Sequence, residues 1–430
     1  LAQALHDMPE DDVPVDSIVT LLRELVAIPS RGDAGSARDD HEPVLACIEA
    51  WLNGQGVPHQ RLLAADATAA VGIVAQVEGL APAPRECRRW YVLNATLDTA
   101  GFGDPQSWMR PPLDAAIVDG WLTGRGAGDS KAGAAIFAHL LASFAARRDR
   151  FAGTLTALFD VDEHSGRFGG ARAFFDRDTP VLPVNGHSQA PRPDGVFIGY
   201  PGIDRVMVGA RGFLRARLTV RGIAAHSGGS SSRGLSALLR GAALAQTLAA
   251  LPLVPVKTAP IDSAFDKPAQ LTLTSLAAGT GGFTQVPDRC ELALDIRLTP
   301  SFDADEARRT VQHAVATHDT AYPPDLATTI DWLPGWPAYR IADTHPLLAA
   351  LDAAARNELH AALPHAVAGP SNIGNYLASL GVPALCGFGI RAEGIHGADE
   401  RIGLAGIRTV YRIYEDALHT LLQGTPRAHP

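Results

Sequence analysis

The sequence predicts an α/β protein with a second, α+β unit inserted into it. Three observations lead there. Between residues 70 and 176, strand-like and helix-like segments alternate, as they do where helices cover a largely parallel sheet. After residue 204 the pattern changes to strands with one apolar and one polar face. After about residue 320 the α/β character returns. A chain of 430 residues is also too long for one ordinary core, so two domains are expected.

The elements follow in order. VDSIVTLLRELVAI, residues 15–28, repeats apolar positions at helical spacing and stops at Pro29-Ser30. Residues 43–54 form a second helical segment. VGIVAQVEG and WYVLNATLD, rich in β-branched and aromatic residues, predict strands. A long polar loop from Gly101 to Gly128 comes next, then a helix over Ala132–Ala146, a strand over Thr154–Val161, a Gly-rich turn and a helix over Ala171–Asp176. Residues 181–193 suggest a surface loop. RVMVGARGFLRARLTVRG opens the second unit, followed by a helix (Gly234–Ala250), two strands (Gln270–Ala277, Arg289–Leu298) and a helix (Ala304–His318). This order predicts a small sandwich with one sheet face covered. A helix near His345–Arg356, a strand at Pro383–Phe388 and a helix at Leu404–Leu422 complete the first unit. The expected limits are 1–203 with 321–430 for the outer domain and 204–320 for the inserted one, with hinges near 200 and 320.

Composition narrows the function. Hydrophobic residues make up 46 % and charged residues 19 %, values of a globular chain rather than a disordered one. A net charge of −9 argues against a nucleic-acid partner. No apolar run is long enough to span a bilayer, so no membrane partner is expected. No charged-then-apolar stretch opens the sequence as read, so no signal peptide is expected, although the first residue is Leu rather than Met. Cys47, Cys87, Cys290 and Cys386 are scattered without a Cys-x-x-Cys pair, as reduced, buried thiols would be. A cytoplasmic location is expected.

Chemistry is concentrated in three places. FDVDEHSGRFGG, residues 159–170, runs a strand into Asp162-Glu163-His164 and then into glycines. In open α/β sheets ligands bind at that end of a strand, and carboxylate plus imidazole suits a divalent cation. An acidic turn capping the next helix would have the same sequence. GRGAGDSKAGAA, residues 124–135, sets Asp129 in a Gly-rich loop ahead of a helix, where it is either a ligand or an N-cap. GIHGADER, residues 394–401, flanks His396 with glycine; alone, such a His is as well explained by structure.

Together these segments resemble one family, the zinc-dependent exopeptidases and deacylases that include glutamate carboxypeptidase, acetylornithine deacetylase and succinyl-diaminopimelate desuccinylase. LLRELVAIPS, LDT at 97–99, GRGAGDSKAGAA, DEHSGRFGG, AAHSG at 224–228, LDIRLTP at 294–300 and GIHGADER appear in family order almost end to end. The resemblance implies a metallopeptidase-like catalytic domain, with a mixed, mainly parallel sheet flanked by helices, interrupted by a lid or dimerisation domain. It implies a homodimer or larger homo-oligomer, and a small carboxylate-bearing substrate. It assigns Asp129 as the bridging ligand, Glu163 as general base for a metal-activated water, and His164 and His396 as ligands of one metal. His226 matches a lid His that stabilises developing negative charge in a partner's site, or is an ordinary strand-end His. Arg297 matches a basic position near the substrate carboxylate, or is a surface Arg.

The departures are patterned. The other metal of the family takes the His of His-x-Asp and the Glu of Gly-Glu-Pro; here Thr96 and Tyr200 stand at those positions. Both private ligands of one metal are missing while the other half-site keeps competent donors. The expectation is therefore one divalent cation per chain, manganese or zinc, on Asp129, His164 and His396. Asp98 keeps its place behind the ligands without the His it would orient; it is left to bind substrate or to shift inward as a fourth ligand. Thr284 replaces a common lid Asn, and Ile373 a common acid in GPSNIGNY, where Asn375 is a candidate substrate contact. With Thr96 and Tyr200 leaving room and an aromatic wall, the sharpest expectation is hydrolytic deamination of an activated amino-aromatic acid such as 5-nitroanthranilate, the reaction of one divergent relative. The alternatives are an N-acyl amino acid amidohydrolase or dipeptidase, and a catalytically dead binding homologue. Two His and one carboxylate also form the triad of oxygen-using iron enzymes.

Overall fold

The computed structural model describes residues 13–32, 41–66, 69–177, 182, 192–229, 234–254, 262–279 and 282–423. The loop expected over 181–193 falls largely outside them. One compact unit runs to Gly209 and takes in Ile341–Ala366 and the chain from Asn372 onward; the other comprises Ala210–Arg340 with Val367–Ser371. Among the described residues no helix is long and apolar enough to cross a membrane.

The first unit is built on a six-stranded mixed sheet. Its order is His59–Leu63, Ala70–Glu78, Thr154–Asp160, Trp90–Thr96, Gly195–Ile198, Ala384–Leu385. The first two pairings are antiparallel and the remaining three parallel. The strands Trp90–Thr96 and Thr154–Asp160 are buried throughout, as strands covered on both faces must be. The helix Ala132–Ala146 is buried along most of its length, which explains why its sequence is apolar nearly all round. The last helix, Ile407–Leu421, instead buries a stripe of Ile407, Val410, Tyr414, Leu418 and Leu421 at helical spacing.

Register places the chemistry. Thr96 lies opposite Asp160 and Asn94 opposite Ile198 in adjacent parallel strands. The segments carrying Asp98, Glu163-His164 and Tyr200 therefore leave the sheet side by side, at the carboxyl ends where open α/β sheets bind ligands. The stretch expected to be a long loop, 101–128, contains a short hairpin, Ala116–Val118 and Trp121–Thr123. Thr123 pairs with Arg401 of the strand Arg401–Gly403, which pairs in turn with Ala392–Glu393. This four-stranded sheet brings the loop of Asp129 against the loop of His396.

The second unit is a four-stranded antiparallel sheet in the order Gln270–Ala278, Arg289–Leu298, Gly212–Arg221, Thr329–Trp336. Leu214, Leu218, Leu292, Leu294 and Ile296 point into a core shared with the helices Ala237–Ala249 and Ala304–Asp319. The unit extends to Arg340 rather than ending near 320, because Thr329–Trp336 completes its sheet. The alternation that predicted a one-sided sheet is explained by helices on one face only.

Candidate metal centre

Asp129, His164 and His396 converge in the first unit. Each offers a ligand atom, and the three atoms lie within 4.8 Å of one another. Asp129 Oδ2 sits between the two imidazoles, 2.8 Å from His396 Nε2 and 3.6 Å from His164 Nε2. Donors bound at about 2.0–2.1 Å to a tetrahedral cation stand roughly 3.4 Å apart, so this spacing suits one ion. Both His164 ring nitrogens and Asp129 Oδ1 are buried without a hydrogen-bond partner; their contacts at 3.4–3.6 Å are charge contacts. Buried polar atoms without partners are costly; His164 Nε2 and Asp129 Oδ1 in one nitrogen and oxygen cluster fit a divalent cation, while His164 Nδ1 faces Asp98 and Glu163.

The electrostatics agree. Burial opposes ionisation of Asp129, yet His164 and His396 hold its carboxyl well below the usual carboxylate range. Burial likewise disfavours the charged form of His164, but Asp129 and Asp98, helped by Glu163, raise its proton affinity well above the ordinary value. A pocket that does this to an imidazole is a site of negative potential.

Glu163 adjoins this cluster. Its Oε1 accepts a 2.8 Å hydrogen bond from the Tyr200 hydroxyl, and its Oε2 lies 3.5 Å from His164 Nδ1. Burial is the main force raising the Glu163 carboxyl; Asp129 and Asp98 add to it, against the pull of His164 and Tyr200, and the group reaches about 7. Burial and the neighbouring Glu163 raise Tyr200 well above the phenol range, so it stays an O–H donor. Gly133 makes room for this segment: a Cβ there would lie 2.2 Å from Gly199 O. Tyr200, expected as a wall for substrate, spends its hydroxyl on Glu163.

Asp98 is fully buried and has found a new partner. Its Oδ1 accepts from the Thr96 hydroxyl (2.5 Å) and Glu163 N (3.2 Å), its Oδ2 accepts from His164 N (3.1 Å), and Oδ2 faces His164 Nδ1 at 3.4 Å. It thus orients His164, the arrangement in which a carboxylate fixes a ligating imidazole. Burial raises Asp98, but His164 outweighs that effect and its carboxyl lies low. Thr96 stands where the imidazole that Asp98 would orient is missing, and Asp98 lies against His164 instead. Gly32 allows the placement: a Cβ there would stand 2.2 Å from Asp98 Oδ2.

Two expected substrate contacts are turned elsewhere. Thr96 is 2 % exposed and spends its hydroxyl on Asp98. Asn375 is fully buried, and its Oδ1 accepts from Asn372 N in the capping box of the helix Ile373–Ser379. His226 and Arg297 belong to the second unit. His226 is exposed and its Nδ1 accepts from Gly228 N. Arg297 pairs with Asp295 at 2.8 Å on the face that also carries Arg215 and Arg217. Sequence reasoning passed over Arg125, Lys131 and Glu400, charged residues buried around the Asp129 loop. Their signal was present, in charged residues set among glycine and alanine.

A fold of this kind with an acid beside a His/Asp cation cluster defines a metal-dependent hydrolase. The model of peptidase family M20/M25/M40 matches residues 92–420, and the chain belongs to that family, whose members are metallohydrolases acting on C–N bonds. It is 29 % identical over 331 residues to a succinyl-diaminopimelate desuccinylase of Alkalilimnicola ehrlichii, covering 76 % of this chain and 82 % of that one. With the enzyme of the same name from Xanthomonas euvesicatoria it shares 27 % over 340 residues, covering 77 % and 83 %. In structure it resembles a metallo-carboxypeptidase of Sulfolobus solfataricus (TM-score 0.72, 15 % identity, 96 % and 99 % covered). It also resembles a tripeptidase of Staphylococcus aureus (0.71, 17 %, 95 % and 99 %). These structural likenesses establish the fold.

Proposed function

We propose that this chain hydrolyses the C–N amide bond of a small carboxylate-bearing acyl amino acid or short peptide, with one divalent cation, zinc or manganese, on Asp129, His164 and His396. The observation that carries the reading is Glu163, a largely buried carboxyl whose Oε2 lies 3.5 Å from His164 Nδ1 beside that donor cluster. A cation held there supplies Lewis acidity to the attacking water and the substrate carbonyl. Glu163 takes the water's proton and returns one to the leaving nitrogen, a role that favours a group titrating near neutral pH. Because Oε1 is engaged by Tyr200, Oε2 is the oxygen that exchanges the proton. Asp98 fixes His164 and the 163–164 backbone while this happens. One cation rather than two is supported by the donor set: Thr96 and Tyr200 stand where the family resemblance places a second metal's private ligands, and both hydroxyls are committed to carboxylates. For His226 and Arg297 the resemblance supplies roles toward developing negative charge and the substrate carboxylate; dimerisation through the second unit is part of the same proposal.

Amide hydrolysis is favoured over deamination because the relatives are by name a desuccinylase and peptidases. Hydrolytic deamination of an activated aromatic amine such as 5-nitroanthranilate is the second reading. The observation behind it is the Tyr200 phenol on the catalytic carboxyl in place of an acid. The test is metal content per chain for wild type and His164→Ala, followed by assays on N-succinyl and N-acetyl amino acids, dipeptides and 5-nitroanthranilate. One equivalent, lost in the variant, with amide turnover supports the proposal. Two equivalents refute the single-cation part. Turnover of the aromatic amine alone moves the second reading ahead.

A further inference from the structure

We infer that Arg125 and Glu400 are positioning residues for the cation site: one buried ion pair that fixes the Asp129 loop and the His396 loop to each other. This inference rests on the proposed cation site and deepens it.

Arg125 is 1 % exposed and Glu400 is 0 % exposed, and they pair at 2.6 Å. Glu400 Oε1 and Arg125 Nη2 reach backbone at both ligands, while Arg125 Nε has no hydrogen-bond partner. Glu400 Oε1 accepts from Gly128 N at 2.9 Å and Asp129 N at 3.2 Å. Arg125 Nη2 donates to His396 O at 3.2 Å and Gly397 O at 2.9 Å. The guanidinium also lies 5.2 Å over the Trp108 ring, whose indole N–H donates to Phe102 O. Each residue thus serves the ligand loop it does not belong to: Arg125 precedes Asp129 but holds His396, and Glu400 follows His396 but holds Asp129.

His396 needs such a hold. Its side chain is 56 % exposed, so packing does not fix it. Its backbone has φ +61, in the left-handed region that a non-glycine residue occupies only when its surroundings impose it. The two carbonyls gripped by Arg125 are those of His396 itself and its neighbour. Asp129 Oδ2 meets His396 Nε2 at 2.8 Å, so the direction of that carboxylate depends on both loops, the one Glu400 anchors and the one Arg125 anchors. Partners that orient metal ligands typically change cation affinity by about 10–100-fold when removed. A single Lys ammonium in place of the planar guanidinium fork cannot span Glu400 and two carbonyls together.

The experiment uses the full chain stripped of metal by chelator. Zinc affinity is measured by competition with a chromogenic chelator, for wild type, Glu400→Gln, Arg125→Lys, His396→Ala and the Arg125→Lys/His396→Ala double variant, with circular dichroism reporting folding. Glu400→Gln and Arg125→Lys are expected to weaken zinc by about 10–100-fold while folded. In the His396→Ala background, Arg125→Lys is expected to lose most of its effect, because the residue it positions is gone. Should Glu400→Gln fail to fold, Arg125→Lys and its double variant decide the matter. Wild-type affinity in a folded Arg125→Lys chain overturns the inference, as does a fully additive double variant, which would mark the pair as merely structural. A wild-type chain that binds no zinc is a different failure, since it removes the proposed cation site itself.

Discussion

Tyr200→Phe removes one hydroxyl and keeps the ring. In the folded protein that hydroxyl donates to Glu163 Oε1 at 2.8 Å inside a buried site. A hydrogen bond to a charged group is worth about 1.5–3 kcal/mol. It favours the ionised carboxylate, so losing it raises the Glu163 pKa by roughly 1–2 units at 1.36 kcal/mol per unit. A base must be unprotonated to act. The acidic limb of the kcat/KM profile should therefore move to higher pH by that amount. Well below the limb the variant should be about 10–100-fold slower, and above it the two profiles should converge. The assay is initial rate against pH on the amide substrate that wild type turns over. A uniform loss at every pH would refute the reasoning, since it would mean Tyr200 contacts the substrate. An unchanged profile would mean the hydrogen bond is not made in the working enzyme.

Glu163→Gln should lower kcat by about 10²–10⁴-fold while zinc uptake stays near one equivalent, because Glu163 is assigned to the proton and not to the cation. Gly32→Ala sets a methyl 2.2 Å from Asp98 Oδ2; urea unfolding should show a loss of about 1–3 kcal/mol, with weaker zinc binding as Asp98 moves off His164. His139 is buried, and burial lowers its imidazole to about 4, with its Nδ1–H donating to Ala135 O and its Nε2 accepting from Ser17 Oγ. The folded value is below the unfolded value of about 6.5, so stability is fully present above pH 6.5. It should fall by about 3 kcal/mol as pH drops to 4. His139→Gln should flatten that part of the stability curve in chemical denaturation, and an unaltered slope would exclude His139 as its source.

The fold was legible where a periodic pattern ran long enough. The helix Ala132–Ala146 and the strand Arg289–Leu298 lie where their spacing put them. The strand Thr329–Trp336 escaped because Pro334 and Gly335 interrupt it. It is an edge strand with an irregular register there, the one setting in which proline is tolerated. Ile373–Ser379 and the hairpin at 116–123 are too short to show a period. At the site, the residue types of Asp129, Glu163, His164 and His396 announced metal chemistry, but partnerships did not follow from spacing. That Asp98 would take up His164, that Tyr200 would hold Glu163, and that Arg125 would meet Glu400 across 275 positions depend on which strand ends lie side by side. Only the register of the sheets decides that.

The three candidate ligands lie far apart along the chain, 267 residues separating Asp129 from His396. During synthesis at about 5–20 residues per second, the gap lasts on the order of 10–50 s. For most of that interval the emerging chain holds Asp129 and His164 but no third donor, and lacks Glu400 to order the Asp129 loop. Tight cation capture at the proposed site is thereby deferred until both ligand loops have been made.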